Sequence, residues 1–112
     1  MKKKETELID KLPLNILHLP IINLIFPKTK YIFVVRHPYD SILSCWMQNF
    51  KINPAMANMC DLDRVVDFFC ISMEIYELSR KRYNLNINIV RYEDLIEDFK
   101  GQISKLLRFL DL

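Results

Sequence analysis

Two short apolar segments that lie far apart in the chain constrain its fold more than any other feature. Residues 31–35 (YIFVV) are β-branched and aromatic and too few for a helix, and residues 86–90 (NINIV) form a second, weaker segment. A strand that is apolar on both faces is typical of a covered, parallel sheet. Because the residues between the segments carry helical patterns, a long helical crossover connects the predicted strands, which must therefore be parallel.

The first half of the chain predicts two helices. A short helix covers residues 15–26, with a kink or break at Pro20. A second helix begins at Pro38, because proline suits the first helical turn. Its apolar face carries residues at helical spacing, namely Tyr39, Ile42, Leu43, Trp46 and Phe50. We expect this face to pack against the rest of the fold.

The second half predicts two further helices. A long amphipathic helix covers residues 61–83 and is capped by Asp61 or Asp63. Its inward face carries Leu62, Val65, Val66, Phe69, Met73 and Tyr76. Residues 93–112 form a last helix, which is interrupted or bent near Gly101.

The predicted order of elements is helix, strand, helix, helix, strand, helix. This order defines the α/β class, with a parallel sheet between helices in three layers. Two strands are too few for an independent sheet of this kind, because both faces need cover. We therefore expect residues 1–112 to form part of a larger domain.

The glycine content limits how this chain can bind a nucleotide. Gly101 is the only glycine among the 112 residues. The phosphate-binding loops GxxxxGK[ST] and GxGxxG need more than one glycine for their turns and close backbone approach. The 112 residues therefore contain no such loop, and a nucleotide site must use other groups or be part of a site.

Composition and charge exclude several classes of function. Sixteen Lys and Arg against fourteen Asp and Glu leave a formal charge of +2, too slight to argue for nucleic-acid binding. The apolar residues 12–26 follow three acidic residues and contain prolines and polar side chains, which is unlike a signal peptide or a membrane span. Cys45, Cys60 and Cys70 show no CxxC spacing, so we expect reduced thiols packed as small hydrophobes, no zinc site and a cytoplasmic location.

Arg36 directly follows the first predicted strand. Open α/β sheets bind ligands at the carboxyl ends of their strands, and the free amides of the helix that follows favour an anion there. One interpretation makes Arg36 a bidentate phosphate ligand. The other is a structural ion pair with Asp40 or a neighbouring carboxylate. Ser44, about two turns into the helix, reaches the same crevice or is an ordinary solvated serine.

The second predicted strand ends in a similar way, at Arg91-Tyr92-Glu93-Asp94. Tyr92 stacks on or hydrogen-bonds to a nucleotide, or it is an interfacial core tyrosine, and the residue types favour neither interpretation. Glu93 and Asp94 fit acidic residues of a first helical turn better than catalytic groups.

Four motifs occur together and in order in this chain: residues 10–15 (DKLPLN), Phe26-Pro27, residues 36–40 (RHPYD) with Ser44, and residues 91–95 (RYEDL). Together they resemble the sulfotransferase family, in particular its bacterial branch linked to tetratricopeptide repeats and akin to tyrosylprotein sulfotransferases. The resemblance covers nearly the whole chain. It implies the P-loop NTPase-like, three-layer fold of sulfotransferases.

The resemblance also implies an activity and a set of site residues. The activity is transfer of a sulfuryl group from 3′-phosphoadenosine 5′-phosphosulfate (PAPS) to a hydroxyl of a peptide, carbohydrate or small molecule, without a metal. Arg36 and Ser44 match residues that hold the 3′-phosphate, and Tyr92 matches one that binds the same nucleotide. Lys11 matches the lysine that stabilises the charge on the transferring group.

Departures from the family pattern limit what we expect of this chain. Many members carry Asp where this sequence has His37, whose neutral or cationic ring does not oppose phosphate binding. The family's 5′-phosphosulfate loop, its first strand and its closing tail have no counterpart in residues 1–112. We therefore expect the 3′-phosphate-binding half of the domain.

Two alternatives to this function remain open. One is a non-catalytic remnant or interaction module of the same fold, whose exposed sheet edge pairs with another chain. The other is a nucleotide-kinase-like relative without PAPS selectivity, and the spacing of Arg36 and Ser44 favours the sulfotransferase over it.

Overall fold

The structure is a computed structural model. It describes residues 8–48 and 56–112, apart from the side chain of Asn58. The first part contains a 3₁₀ helix (Pro13–His18), helix α1 (Leu19–Ile25), strand β1 (Lys30–Val35) and helix α2 (Pro38–Trp46). The second part contains a 3₁₀ helix (Met56–Met59), helix α3 (Leu62–Arg82), strand β2 (Asn86–Arg91) and helices α4 (Tyr92–Glu97) and α5 (Phe99–Leu110). No helix among these is long and apolar enough to cross a bilayer.

Strands β1 and β2 pair in parallel, as the sequence predicts. Lys30 is opposite Asn86 and Val35 is opposite Arg91, so the two strands begin and end at the same level. Helix α2 begins two residues after β1, and α4 begins directly after β2. The α/β class and the parallel crossover are therefore confirmed, and the ends of both strands meet the starts of helices.

Helices lie against both faces of the sheet. The ring of Phe33 in β1 packs on Tyr76 of α3, with the ring centroids 4.3 Å apart. Because side chains alternate along a strand, Lys30 points to the opposite face. There its Nζ lies 2.5 Å from the carboxylate of Asp111 and 5.9 Å from the ring centroid of Phe109 in α5. Strand β1 thus separates α3 from α5.

The core of the described residues is small. Its buried apolar side chains are Leu19, Met59, Val65, Tyr76 and Val90. The sequence predicts a strand covered on both faces, yet Ile32 and Val34 of β1 are 43% and 60% exposed. These two side chains share the face of Lys30, where α5 covers the start of the strand and leaves its later residues open. The prediction of full cover is wrong for this face.

Helix α2 covers only part of the face that its apolar pattern predicts. Tyr39, Leu43 and Trp46 are 74%, 46% and 46% exposed. Ile42 is partly covered and lines a cleft beside α3, together with Ser41 and Cys45. Only two residues join β1 to α2, so the direction of the strand sets the rotation of the helix. Phe50, the last residue of the predicted face, lies outside the described residues.

Helix α3 agrees with its predicted bounds and cap. The Asp61 carboxylate accepts a hydrogen bond from the Asp63 N–H at 3.0 Å. Val65 and Tyr76 are buried as expected, but Leu62 and Val66 of the predicted inward face are exposed. The buried Ser72 and Ser79 were not expected inside. Their hydroxyls donate to backbone carbonyls one turn earlier, at 2.7 and 2.6 Å, which satisfies them without a partner from another element.

The interruption of the carboxyl-terminal helix predicted near Gly101 is confirmed, and it lies at Asp98. Asp98 separates α4 from α5, and its carboxylate accepts a hydrogen bond from the Gly101 N–H at 3.0 Å, as an N-cap does. A Cβ at position 101 would overlap this carboxylate, so glycine permits the close approach. In the amino-terminal region, the break predicted at Pro20 is confirmed, because the 3₁₀ helix changes to α1 at Leu19.

The three cysteines are free thiols, as the sequence predicts. Their expected packing as small hydrophobes is wrong for Cys60 and Cys70, which are exposed on the surface. Cys45 alone is partly covered, where α2 faces the cleft.

Candidate functional site

The ends of the two strands bring Arg36 and Tyr92 together. Val35 and Arg91 are opposite each other in the sheet, so the residues that follow them leave the sheet at the same level. The guanidinium carbon of Arg36 lies 5.3 Å from the centre of the Tyr92 ring, which is within the range of a cation–π contact. Both side chains remain partly open to solvent, so a ligand can reach them.

Arg36 also makes the ion pair that the alternative interpretation expects. Its Nη2 lies 3.4 Å from an oxygen of Asp40, one turn along α2. The two side chains are 45% and 54% exposed, and exposed pairs of this kind contribute about 0–1 kcal/mol. An anion that replaces Asp40 therefore displaces a weak partner.

Glu93 links the starts of α2 and α4. Its Oε1 accepts a hydrogen bond from the backbone N–H of His37 at 2.9 Å. The expectation of free amides at the start of α2 is therefore wrong for His37, and Pro38 has no N–H to offer. The first turn offers a ligand only the amides of Tyr39 and Asp40, because the next one, from Ser41, donates to the carbonyl of His37.

Hydrogen bonds from its own backbone N–H and from that of His37 lower the pKa of Glu93. Partial burial opposes this effect, and the charges of Arg91 and His37 add to it. The side chain is thus held as a carboxylate, whose Oε1 accepts the hydrogen bond from His37 at the junction of strands and helices.

Lys11 and Ser44 make no hydrogen bond or ion pair with Arg36 within the described residues. Ser44 lies on the exposed side of α2, and Lys11 precedes the first 3₁₀ helix and is exposed. Neither side chain makes a hydrogen bond or an ion pair in the part of the chain that the structure describes. Their roles stay predictions that rest on the family resemblance.

A cleft of about 500 Å³ opens beside Arg36, between β1, α2 and α3. Its walls are largely apolar, and its charged lining residues are Arg36, Arg91 and Glu93, with His37 beside them. Arg91 has no role among the residues predicted from the sequence. The signal that finds it is the register, because Arg91 lies opposite Val35 and shares its face of the sheet.

The charged groups of this site have the chemistry that suits an anion. Each arginine has one carboxylate nearby. An oxygen of Asp40 lies 3.4 Å from Arg36, and an oxygen of Asp94 lies 3.9 Å from Arg91. Two exposed guanidinium groups with weak partners suit a phosphate or a sulfate. Among the described residues, no group of three or more His, Cys, Asp or Glu is placed to hold a metal ion.

The fold is of the α/β class, and two arginines lie at the carboxyl ends of its parallel strands. The whole chain, residues 1–112, matches the profile of the sulfotransferase family, and the chain belongs to that family. It is 28% identical over 97 residues to "Cytosolic sulfotransferase 14" of Arabidopsis thaliana, and 26% identical over 97 residues to "Cytosolic sulfotransferase 15" of the same plant.

These alignments include 77% of this chain but 28% and 27% of the two relatives. The chain thus spans less than a third of the length of the curated relatives that it matches. No solved structure matches it significantly.

Proposed function

We propose that this chain forms the 3′-phosphate-binding part of a sulfotransferase domain, which transfers a sulfuryl group from PAPS to a hydroxyl acceptor. The observation that carries the proposal is the position of Arg36 beside Tyr92, at the carboxyl ends of adjacent parallel strands. Parallel α/β sheets bind nucleotides at this edge. For the complete domain we propose the P-loop-like, three-layer fold of the family.

Each site residue has a proposed role. Arg36 binds the 3′-phosphate through its guanidinium fork, and Ser44 donates its hydroxyl to the same group. Tyr92 packs its ring against the nucleotide, next to Arg36. Lys11 stabilises the negative charge that develops on the transferring sulfuryl group. The assignments of Lys11 and Ser44 rest on the family resemblance, whereas the contact of Arg36 with Tyr92 supports the other two.

The carboxylates around the site determine how the phosphate binds. Asp40 and Asp94 already face the two arginines, so the phosphate binds by exchange with weak partners and not at a bare cationic surface. Because these groups are exposed, salt screens their attraction for an anion. We therefore expect modest affinity that falls as the ionic strength rises.

We propose a cytoplasmic location for the protein. The support is that both curated relatives are named cytosolic sulfotransferases.

Thermal unfolding with two nucleotides tests the proposed function. Adenosine 3′,5′-bisphosphate should raise the melting temperature of the 112-residue chain, and AMP, which lacks the 3′-phosphate, should raise it much less. Arg36→Ala should remove the difference between the two nucleotides. Equal responses of the wild-type chain to both would overturn the assignment of the 3′-phosphate site.

Arg80 offers a matched control for the Arg36 variant. It also makes an exposed ion pair, with Glu77 at 3.2 Å, and its side chain is 50% exposed, close to the 45% of Arg36. Helix α3 ends at Arg82 and β2 begins at Asn86, so Arg80 lies near the amino ends of the strands, away from the site. Arg80→Ala should leave the discrimination between nucleotides intact.

Interaction through an open strand edge is a second candidate function, favoured by the exposure of Val34. This side chain is 60% exposed on β1, and within the described residues β1 pairs with β2 alone. Exposed apolar edge strands pair with strands of other molecules. If this chain associates in that way, sedimentation velocity should show a concentration-dependent dimer that Val34→Lys abolishes. A monomer at every concentration counts against this candidate.

A further inference from the structure

A single hydrogen bond joins the segments that follow the carboxyl ends of β1 and β2, where the candidate phosphate site lies. The donor is the N–H of His37, next to Arg36, and the acceptor is the carboxylate of Glu93, next to Tyr92. Among the described residues it is the one hydrogen bond that links the β1–α2 turn to the start of α4. Arg36 and Tyr92 contact each other, and the residues that follow them, His37 and Glu93, are joined by this hydrogen bond.

We propose that Glu93 is a positioning residue, whose carboxylate fixes the β1–α2 turn against α4 and thereby holds Arg36 beside Tyr92. This inference rests on the proposed function, because the position of Arg36 matters for binding the 3′-phosphate. Glu93 itself does not contact the nucleotide in this proposal.

The other contacts at this junction are weaker constraints on the turn. The Arg36–Asp40 ion pair joins the turn to α2 and is exposed, so it does not fix the turn relative to α4. The contact of Arg36 with the Tyr92 ring is also exposed, and it lies at the end of a long, flexible side chain. A charge-assisted bond to a backbone N–H is shorter and more directional, so it determines the backbone path.

Glu93 has two effects on a bound phosphate, and they act in opposite directions. Its oxygen holds the His37 N–H, which favours binding by keeping the turn in place. Its negative charge repels the phosphate, which opposes binding. The first effect needs only an acceptor oxygen, whereas the second needs the charge. Glutamine keeps an oxygen and removes the charge, so the two effects can be separated.

A competing explanation predicts the opposite result for one variant. If Glu93 merely occupied an amide that the phosphate would otherwise bind, Glu93→Ala would free the His37 N–H and strengthen binding. If Glu93 positions the turn, the same variant weakens binding. The sign of the change therefore separates the two explanations.

Calorimetric titration of the full chain with adenosine 3′,5′-bisphosphate tests the inference. Glu93→Ala should weaken binding by about tenfold or more, the loss expected for one charge-assisted hydrogen bond. Glu93→Gln should bind at least as tightly as the wild type. Binding by Glu93→Ala as tight as in the wild type, or an equal loss in both variants, would overturn the proposal.

Glu97 provides the matched control on the same helix. It ends α4 and, in the described part of the chain, makes no side-chain hydrogen bond or ion pair. Glu97→Ala therefore removes the same side chain and the same charge from α4 as Glu93→Ala does, without affecting the β1–α2 turn. Its affinity for the bisphosphate should match that of the wild type.

Hydrogen exchange of the His37 amide tests the inference without any ligand. In the wild type and in Glu93→Gln this N–H should be protected, and in Glu93→Ala it should exchange about tenfold faster or more. An unprotected His37 amide in the wild-type chain would overturn the inference even if Glu93→Ala failed to fold. If the wild type does not prefer the bisphosphate to AMP, the proposed function is wrong. The hydrogen-exchange data then test the role of Glu93 by themselves.

Discussion

The guanidinium carbon of Arg36 lies 5.3 Å from the centre of the Tyr92 ring, although helices α2 and α3 and the whole of β2 separate the two residues in the chain. The parallel register of the sheet produces this contact, because it places the last residues of both strands opposite each other. The contact positions a cation and an aromatic ring at the edge where parallel sheets bind their ligands.

Replacement of Arg36 by lysine should weaken the binding of adenosine 3′,5′-bisphosphate. Lysine keeps the positive charge but loses the planar fork that contacts two phosphate oxygens and stacks on the Tyr92 ring. We expect a loss of about tenfold in affinity, measured by calorimetry. The same exchange at Arg80 is the control, and an unchanged affinity in Arg36→Lys would show that charge alone determines binding.

Replacement of Ser44 by alanine should lower the affinity for the bisphosphate while AMP binding stays the same. The serine hydroxyl is proposed to donate to the 3′-phosphate, and such a bond is worth about a factor of ten. Alanine also suits the middle of α2, so the fold should be preserved. Equal losses for both nucleotides would assign Ser44 to another part of the ligand.

The stability contributed by Glu93 should disappear in acid. Hydrogen bonds from two backbone N–H groups lower its pKa in the folded chain, so the unfolded chain binds more protons between that lowered pKa and the ordinary value of about 4.3. The contribution is complete above the ordinary pKa and is lost as the pH falls through the lowered one. Urea midpoints from about pH 6 to about pH 3 should show the wild type approaching Glu93→Gln. A constant difference would contradict this.

Removal of the cap at the start of α5 should destabilise the chain. Asp98→Ala leaves the Gly101 N–H without its acceptor, at a cost of about 1 kcal/mol. Asp98→Asn keeps an acceptor oxygen and should be nearly neutral. Denaturant unfolding of the two variants measures the difference, and equal loss in both would mean that the charge matters more than the cap.

Removal of the Tyr76 hydroxyl should stabilise the chain. Tyr76 is 3% exposed, its hydroxyl has no hydrogen-bond partner among the described residues, and burial raises its pKa. Tyr76→Phe removes this unsatisfied group and keeps the ring contact with Phe33, so we expect a gain of about 1 kcal/mol. Tyr39→Phe, with a side chain that is 74% exposed, should be neutral. A loss of stability in Tyr76→Phe would contradict the expectation.

The sequence predicted those features that depend on local pattern and on the parallel connection. The short apolar segments predicted the strands, and the helical crossover predicted that they are parallel. Together these two predictions place Arg36 near Tyr92. The cap at Asp61 was also predicted from a local pattern. The bacterial branch of the family remains a prediction, as do the roles of Lys11, Arg36, Ser44 and Tyr92.

The features that sequence reasoning missed depend on how elements meet. The apolar pattern of α2 suggested that Trp46 faces inward, but the short link to β1 rotates the helix and exposes it. The hydrogen bond between His37 and Glu93 joins the β1–α2 turn to α4, which lie far apart in the chain, so no local sequence pattern predicts it. The sequence predicted a break near Gly101, but it did not predict that Asp98 caps the helix that follows.

The parallel pairing of β1 and β2 forms only when the whole crossover between them has closed. Because one strand supplies Arg36 and the other leads into Tyr92, no partly folded chain that lacks this pairing contains the candidate site. A nucleotide that needs both residues binds the folded chain alone, and at a hundredfold excess over its dissociation constant it adds about 2.7 kcal/mol to the free energy of unfolding. Few apolar side chains are buried among the described residues, so the proposed nucleotide would be part of what keeps the protein folded.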